Sequence, residues 1–411
     1  MSSSETHPLR RVMTAPVLVG ALGYFVDIFD LLIFPVTSVP SLTELGVPTG
    51  ELRLVVERIL NWQMIGMLLG GIFWGVLGDK LGRRSVLFGS ITLYSLANIA
   101  NGLVHDVEVY RYIRFVAGFG LAGELGAAIT LVSETLPKEV RGYGTAIVAG
   151  VGVSGAVFGG IVGNFVHWRT AYFIGGALGI ALLLLRIGFS ESKIFATVKQ
   201  EGEVSRGNFL VLLWPPKRLL RYLSCIAIGL PLWFGVGILV TQSLHLAREL
   251  GVTDVIKPAT AVAVCYAGLT VGDFASGVLS QILGSRKKAI GTFLALTTLS
   301  IVFYCSMHGA PGWLFYAACG FLGFSLGYWA VFVTVASEQF GTNIRATATT
   351  TVPNWVRGAL VPITILYDGL VSSGLSLVES AFVLGLGLVA VAALALRGLE
   401  ETHGRSLDFV E

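Results

Sequence analysis

The sequence predicts an all-α integral membrane protein, with twelve transmembrane helices arranged as two pseudo-symmetric six-helix bundles. Three observations carry that expectation. Of the 411 residues, 54% are hydrophobic and only 13% charged, and the mean hydropathy is +0.77, more apolar surface than a soluble chain could hide. Apolar runs of about 20 residues, the length that crosses a bilayer, recur along the whole chain. A glycine-spaced, charge-dense loop occurs once in each half.

The expected spans are 15–39, 59–78, 85–104, 110–131, 143–166, 171–189, 222–242, 260–283, 289–307, 313–335, 346–370 and 377–396. The first is read as a span and not as a signal peptide, because no small-residue cleavage site follows it. With the N-terminus in the cytoplasm, the inner loops and tails collect most of the lysine and arginine, including Arg10, Arg11, Lys80, Arg83, Arg84, Arg141 and Arg286. The opposite side holds Arg53, Arg58, Arg111, Arg169, Arg248 and Lys257. This positive-inside bias puts both termini in the cytoplasm, in a cell (inner or plasma) membrane. The net charge of +3 is therefore a matter of topology, and no nucleic-acid partner is expected.

Three regions follow: a first bundle over 1–189, a cytoplasmic linker over 190–221 and a second bundle with a cytoplasmic tail over 222–411. The linker is the longest polar interval, and its lysines, glutamates and Trp214-Pro215-Pro216 suit a surface helix and a turn. The halves repeat. Gly75-Val-Leu-Gly-Asp79-Lys-Leu-Gly82-Arg83-Arg84 corresponds to Gly277-x6-Gly284 before Ser285-Arg286, with Gln281 in place of Asp79. Ser133-Glu134-x6-Arg141 corresponds to Ser337-Glu338-x6-Arg345. Repeats of this kind relate two bundles by an axis along the membrane normal.

On these residues the chain resembles the major facilitator superfamily over its whole length. The decapeptide is similar to that superfamily's loop between spans two and three, and the paired Glu-x6-Arg elements resemble those of its sugar-porter and metabolite:proton symporter branches. Ser190-Glu191-Ser192-Lys193-Ile194-Phe195 and Glu401-Thr402-x-Gly404-Arg405 resemble that group's elements after spans six and twelve. Gly23-x3-Asp27-x-Phe29-Asp30 and Arg114-Phe115-x2-Gly118-x4-Gly123-Glu124 resemble the span-one and span-four runs of metabolite:proton symporters. Two departures stand out. Span seven reads Gly229-Leu-Pro231-Leu-Trp233-Phe234-Gly235 in place of the sugar porters' paired glutamines, and span five has Gly155-Ala156 where drug:proton antiporters have Gly-Pro.

Ionisable side chains inside spans cost roughly 2.5–3.5 kcal/mol on insertion scales, so they face the protein interior or water. Asp27 and Asp30 share a face of span one, and with Glu124 they are the expected proton-coupling carboxylates, around a cavity that the resemblance lines with spans one, four, seven and ten. The same groups also suit a structural hydrogen-bond cluster with Arg114 or a divalent-cation site. In the second half a buried arginine among aromatics would fix a carboxylate through paired donors. Arg357, Asn354, Trp233, Phe234, Tyr328, Trp329 and Arg114 are the expected substrate contacts, with Asp273 and Glu338 as alternative partners for Arg357. Asp79, Arg83, Arg84, Glu134, Arg141, Glu338 and Arg345 form the expected cytoplasmic gate.

The function expected is a secondary transporter working by alternating access, a proton-coupled symporter of a small organic acid or related metabolite. Its partners are then the substrate, protons and the lipid bilayer, with the protein a monomer. Rivals are a metal-ion or sugar transporter of the same fold and a transport-silent receptor or assembly factor. No nucleophile–base spacing, cofactor motif or metal-ligand spacing points to an enzyme. Cys225, Cys265, Cys305 and Cys319 sit in apolar runs and read as small buried residues.

Overall fold

The computed structural model describes residues 12–137, 140–187 and 207–411, with backbone alone at 53, 54, 57, 164, 258 and 259. The extreme N-terminus, the Ser190–Phe195 element and most of the linker, including its expected surface helix, lie outside the described residues. In the first half the chain forms α1 (Ala15–Glu44), α2 (Leu52–Leu81), α3 (Arg83–Gly102), α4 (Val107–Leu121), α5 (Glu124–Thr135), α6 (Arg141–Phe165) and α7 (Trp168–Leu185). In the second it forms α8 (Pro216–Ala227), α9 (Leu230–Phe234), a π-helical turn (Gly235–Val240), α10 (Ser243–Glu249), α11 (Pro258–Ile282) and α12 (Arg286–Cys305). Then come α13 (Gly312–Leu326), α14 (Trp329–Glu338), α15 (Arg345–Gly358), α16 (Leu360–Ser372) and α17 (Leu377–Gly398).

Ten of the crossings are long and apolar enough to span a membrane by composition alone. The other two, α3 and the pair α15–α16, complete the twelve. They are less apolar because α3 opens on Arg83-Arg84 and buries Asn98 and Asn101, while α15 carries a threonine run, Asn354 and Arg357. Large apolar side chains such as Phe165, Ile282, Ile365 and Leu366 stay exposed on the outside, as suits a surface solvated by hydrocarbon.

Four of the expected continuous spans are broken near their middles: at Ala122-Gly123, at Ile228-Gly229, at Gly327-Tyr328 and at Ala359. The first and third breaks occupy corresponding places in the two halves. Span seven also starts earlier than the polarity of 216–221 implied, because Pro215 and Pro216 suit the N-terminal turn of a helix, where a missing N–H leaves no bond unmade. Discontinuous helices are where transporters of this architecture build their sites.

Backbone contacts repeat the internal symmetry. A Cβ on Gly66 or Gly70 of α2 would run into the carbonyl oxygens of Phe115 and Phe119 on α4, and a Cβ on Gly268 or Gly272 of α11 into those of Gly320 and Phe324 on α13. Each half is thus fastened by two helices whose main chains touch. The first glycines of the paired loop motifs mark where the halves meet: Gly75 lies against Thr347 of α15, and Gly277 against Ala146 of α6. The second glycines, Gly82 and Gly284, have φ of 105° and 57°, which only glycine adopts without strain.

Because a backbone carbonyl cannot swing aside, Gly66→Ala and Gly272→Ala are each expected to cost about 1–3 kcal/mol and to lower the melting temperature of the detergent-solubilised protein. Gly387→Ala, which meets nothing within 4 Å, should leave it in place.

Candidate functional site

The residues that converge lie at the helix breaks. Arg357 stands in the last turn of α15, about 18 Å along the helix from its start, and Trp329 opens α14 just after its break. Trp233 lies on α9, between the break and the π turn. The Arg357 guanidinium carbon is 5.5 Å from the Trp329 ring centroid and 6.0 Å from that of Trp233, the stacking that the weakly hydrated planar cation favours. Facing it from the first half is α1. Gly152 of α6 leaves room for the Tyr24 ring, whose Oη accepts from Arg357 Nη2 at 3.5 Å, and Asp27 Oδ2 lies 4.0 Å from the same nitrogen.

The cluster is under-bonded. Both Asp27 oxygens and Arg357 Nε are buried without a hydrogen-bond partner. Buried polar groups are normally paired, and each one left open costs about 1–3 kcal/mol. An arginine with free donors, two indole faces beside it and a loosely held carboxylate opposite can take a planar anion carrying an apolar ring.

The three carboxylates of the first half are separated by their partners. Asp27 faces Arg357. Asp30, one turn further along α1, has Arg114 as its cationic neighbour and the Asn98 side chain beside it. Arg114 Nη2 donates to the Asp30 carbonyl at 3.2 Å, and its guanidinium lies between the rings of Phe34 and Tyr172. Glu124, at the start of α5, instead makes a closed two-bond pair with Arg186, which also donates to the Leu87 carbonyl at 2.9 Å. Gly23 is the floor beneath that pair: a Cβ there would overlap the Glu124 carboxylate and the Arg186 guanidinium.

Other expected contacts serve the backbone. Asn354 Nδ2 donates to the Ala122 carbonyl at 3.0 Å, at the break between α4 and α5. Tyr328 Oη donates to the Ile228 carbonyl at 2.9 Å, at the break before α9. Asp273 accepts from the Ala330 N–H at 3.0 Å and so caps α14; it is not the partner of Arg357, and neither is Glu338. Phe234 turns toward Gly385 of α17. Phe234, Tyr328 and Arg114 are therefore not brought to the Arg357 cluster.

On the face that carries the described linker and tail, the halves are joined by buried charges. Asp79 of α2 accepts from the N–H groups of Ala346 (2.9 Å) and Thr347 (2.8 Å) and from Thr347 Oγ1 (2.7 Å), so a carboxylate of one half caps a helix of the other. Arg83 and Arg345 converge on Glu134 at 2.9 Å each. In the related group, Arg286 and Arg141 converge on Glu338 at 3.2 and 3.4 Å, and Gln281 packs on Gly142 of α6. Thr334 Oγ1 donates to Thr145 Oγ1 at 2.8 Å between the two groups. Arg84 is exposed, with its guanidinium over the Phe88 ring.

Sequence reasoning missed Tyr24, Arg186 and Arg286 as members of these constellations. Arg186 falls within the expected span 171–189 but, at the end of α7, reads as one of the inner-face cations. Among the described residues, no group of three or more His, Cys, Asp or Glu side chains could hold a metal ion.

The description "Major Facilitator Superfamily" is that of a family model matching residues 20–353. A niacin transporter of Acinetobacter baylyi is 25% identical, over 100% of this chain and 99% of its own. A 3-(3-hydroxy-phenyl)propionate transporter of Escherichia coli is 26% identical, over 66% of this chain and 75% of its own. Among solved structures, the proton:xylose symporter XylE matches with a TM-score of 0.76 at 15% identity, covering 98% of both chains. FucP in the outward conformation matches with a TM-score of 0.74 at 14% identity, over 94% of this chain and 99% of that one. With its two six-helix halves, broken helices and paired charge groups, the chain belongs to the major facilitator superfamily and is a membrane transporter of small metabolites.

Proposed function

We propose that this protein carries a small aromatic carboxylate across the cell membrane together with a proton, by alternating access, with the linker face and both termini in the cytoplasm. The observation that carries the reading is the under-bonded Arg357, flanked by Trp233 and Trp329 and facing Asp27 across the junction of the halves. The names of two relatives support the substrate class, since niacin and 3-(3-hydroxy-phenyl)propionate are each an aromatic ring bearing a carboxylate. The crowding of lysine and arginine onto the linker face supports the orientation.

The substrate carboxylate takes the donors of Arg357 while its ring lies against the indoles. Asp27 thereby loses its counter-ion in a buried place, where a carboxylate without a partner is held as the neutral acid. One proton thus enters with one anion, and neither is comfortable in the site without the other. Asp30, buried on the same face of α1, belongs to the same proton path. Glu124 is assigned a structural role, because both of its carboxylate oxygens are taken up by Arg186. With the linker-face charge groups closed, the site is shut from that face in this conformation.

Arg357→Lys replaces a two-pronged donor with a point charge and should raise the apparent KM by about 10- to 100-fold. Uptake of radiolabelled aromatic acids into proteoliposomes measures this, and an unchanged KM would remove the clamp from Arg357. Asp27→Asn should abolish accumulation driven by a proton gradient while leaving substrate exchange in place. Glu124→Gln should lower the yield of folded protein, yet what folds should keep the proton dependence. If Glu124→Gln uncoupled transport and Asp27→Asn did not, the assignments would have to be exchanged.

A further inference from the structure

The segment after α17 does not trail into solvent. Glu401 accepts from the N–H groups of Arg286 (2.9 Å) and Lys287 (3.3 Å), and Thr402 Oγ1 donates to Glu338 at 2.8 Å. Beyond these the chain runs along the loop between α14 and α15. The Leu407 carbonyl accepts from Arg345 Nη2 (2.7 Å) and Thr342 Oγ1 (3.0 Å), and the Phe409 carbonyl from the Thr342 N–H (2.8 Å). Asn343 and Glu411 exchange two bonds, at 2.9 and 3.0 Å. The Glu411 carboxylate is clasped by Arg218 at 2.6 Å and Arg221 at 2.7 Å. Leu407 is buried, and Gly341 leaves no room for a Cβ against Val410 and Glu411.

The other side of that loop is what closes the charge network. Arg83 of the first half donates to the Thr342 carbonyl at 3.3 Å, Arg345 reaches Glu134, and the helix start capped by Asp79 follows immediately. Thr342 and Arg345 are thus each gripped from both sides, by the tail and by the opposite half. The tail also touches that half directly, through Arg141 Nη1 to the Arg405 carbonyl at 3.4 Å.

We infer that residues 402–411 are a detachable buttress of the cytoplasmic gate: they hold the loop between α14 and α15 in its closing posture, and their release shifts the protein toward the inward-open state. The inference rests on the alternating-access reading. Glu411, Arg218 and Arg221 are the point of release, since their side chains keep 9–22% of their exposure while the charges that join the halves, Arg83, Glu134, Arg345, Glu338 and Arg286, are sealed. A soluble partner or a change in cytoplasmic ionic conditions reaches that clasp but not the sealed charges between the halves.

Distances between spin labels settle the matter in the full-length protein in nanodiscs, with one pair at positions 81 and 282 on the linker face and another at 103 and 255 on the opposite face. Glu411→Lys should raise the ratio of inward-open to outward-open conformers by about three- to tenfold. The charge swap Glu411→Lys with Arg221→Glu should bring it back toward the starting value, which a merely unfolded tail would not do. Shortening the chain after Arg405 should act in the same direction as Glu411→Lys. Two conformers whose ratio ignores all three variants would overturn the buttress and leave alternating access intact. A single conformer under every condition would overturn both.

Discussion

In hydrocarbon a freed main-chain carbonyl or N–H has no water to turn to, so every interruption of a helix must be met by another part of the protein. That constraint sorts the polar residues of this chain. At the break in span four Asn354 meets the Ala122 carbonyl, before α9 Tyr328 meets that of Ile228, and at the start of α14 Asp273 meets the Ala330 N–H. Once these debts are settled, Asp27 and Arg357 are left beside the same breaks with polar atoms bonded to nothing. At these three breaks the freed main-chain groups are met by side chains of other helices, whereas Asp27 and Arg357 face each other across the junction of the halves at 4.0 Å.

Much of the architecture was legible in the sequence because hydropathy and repeat both report on it directly. The twelve spans follow from apolar length, and the two halves from the recurrence of Gly75-x6-Gly82 at Gly277 and of Glu134 at Glu338. The breaks were not legible. Gly123, Gly327 and Gly358 are three among 52 glycines, and nothing local separates a glycine that ends a helix from Gly66, which lets two helices touch. Pairings were hidden for a different reason. Arg186 sits at the end of α7, where a cation reads as a topological signal, yet its side chain folds back into the bundle to reach Glu124. Trp233 and Phe234 are neighbours in sequence and so point about 100° apart on a helix, which sends one to Arg357 and the other to α17.

The paired charge groups are related in sequence and unequal in strength. Where Asp79 collects three hydrogen bonds from the start of α15, Gln281 packs against Gly142 with its amide nitrogen unbonded. The second group also lacks one negative charge, and Glu401, on the segment after α17, lies against the start of α12 where that deficit falls. The seam between α2 and α15 therefore carries direct hydrogen bonds to main chain, while the seam between α11 and α6 is closed by packing of Gly277 on Ala146 and of Gln281 on Gly142.

The cap that Asp79 provides has a consequence for how this protein can change over time. Two of its three bonds go to main-chain N–H groups, which every residue type except proline supplies, so these bonds do not depend on which side chain stands at 346, although the buried Ala346 Cβ, packed beside Gly78, leaves little space for a larger one. Half of the junction is thus written in the backbone and not in a matched pair of side chains. A search for correlated substitutions would see Arg345 with Glu134 and Arg141 with Glu338, and would pass over the main-chain half of the Asp79 contact.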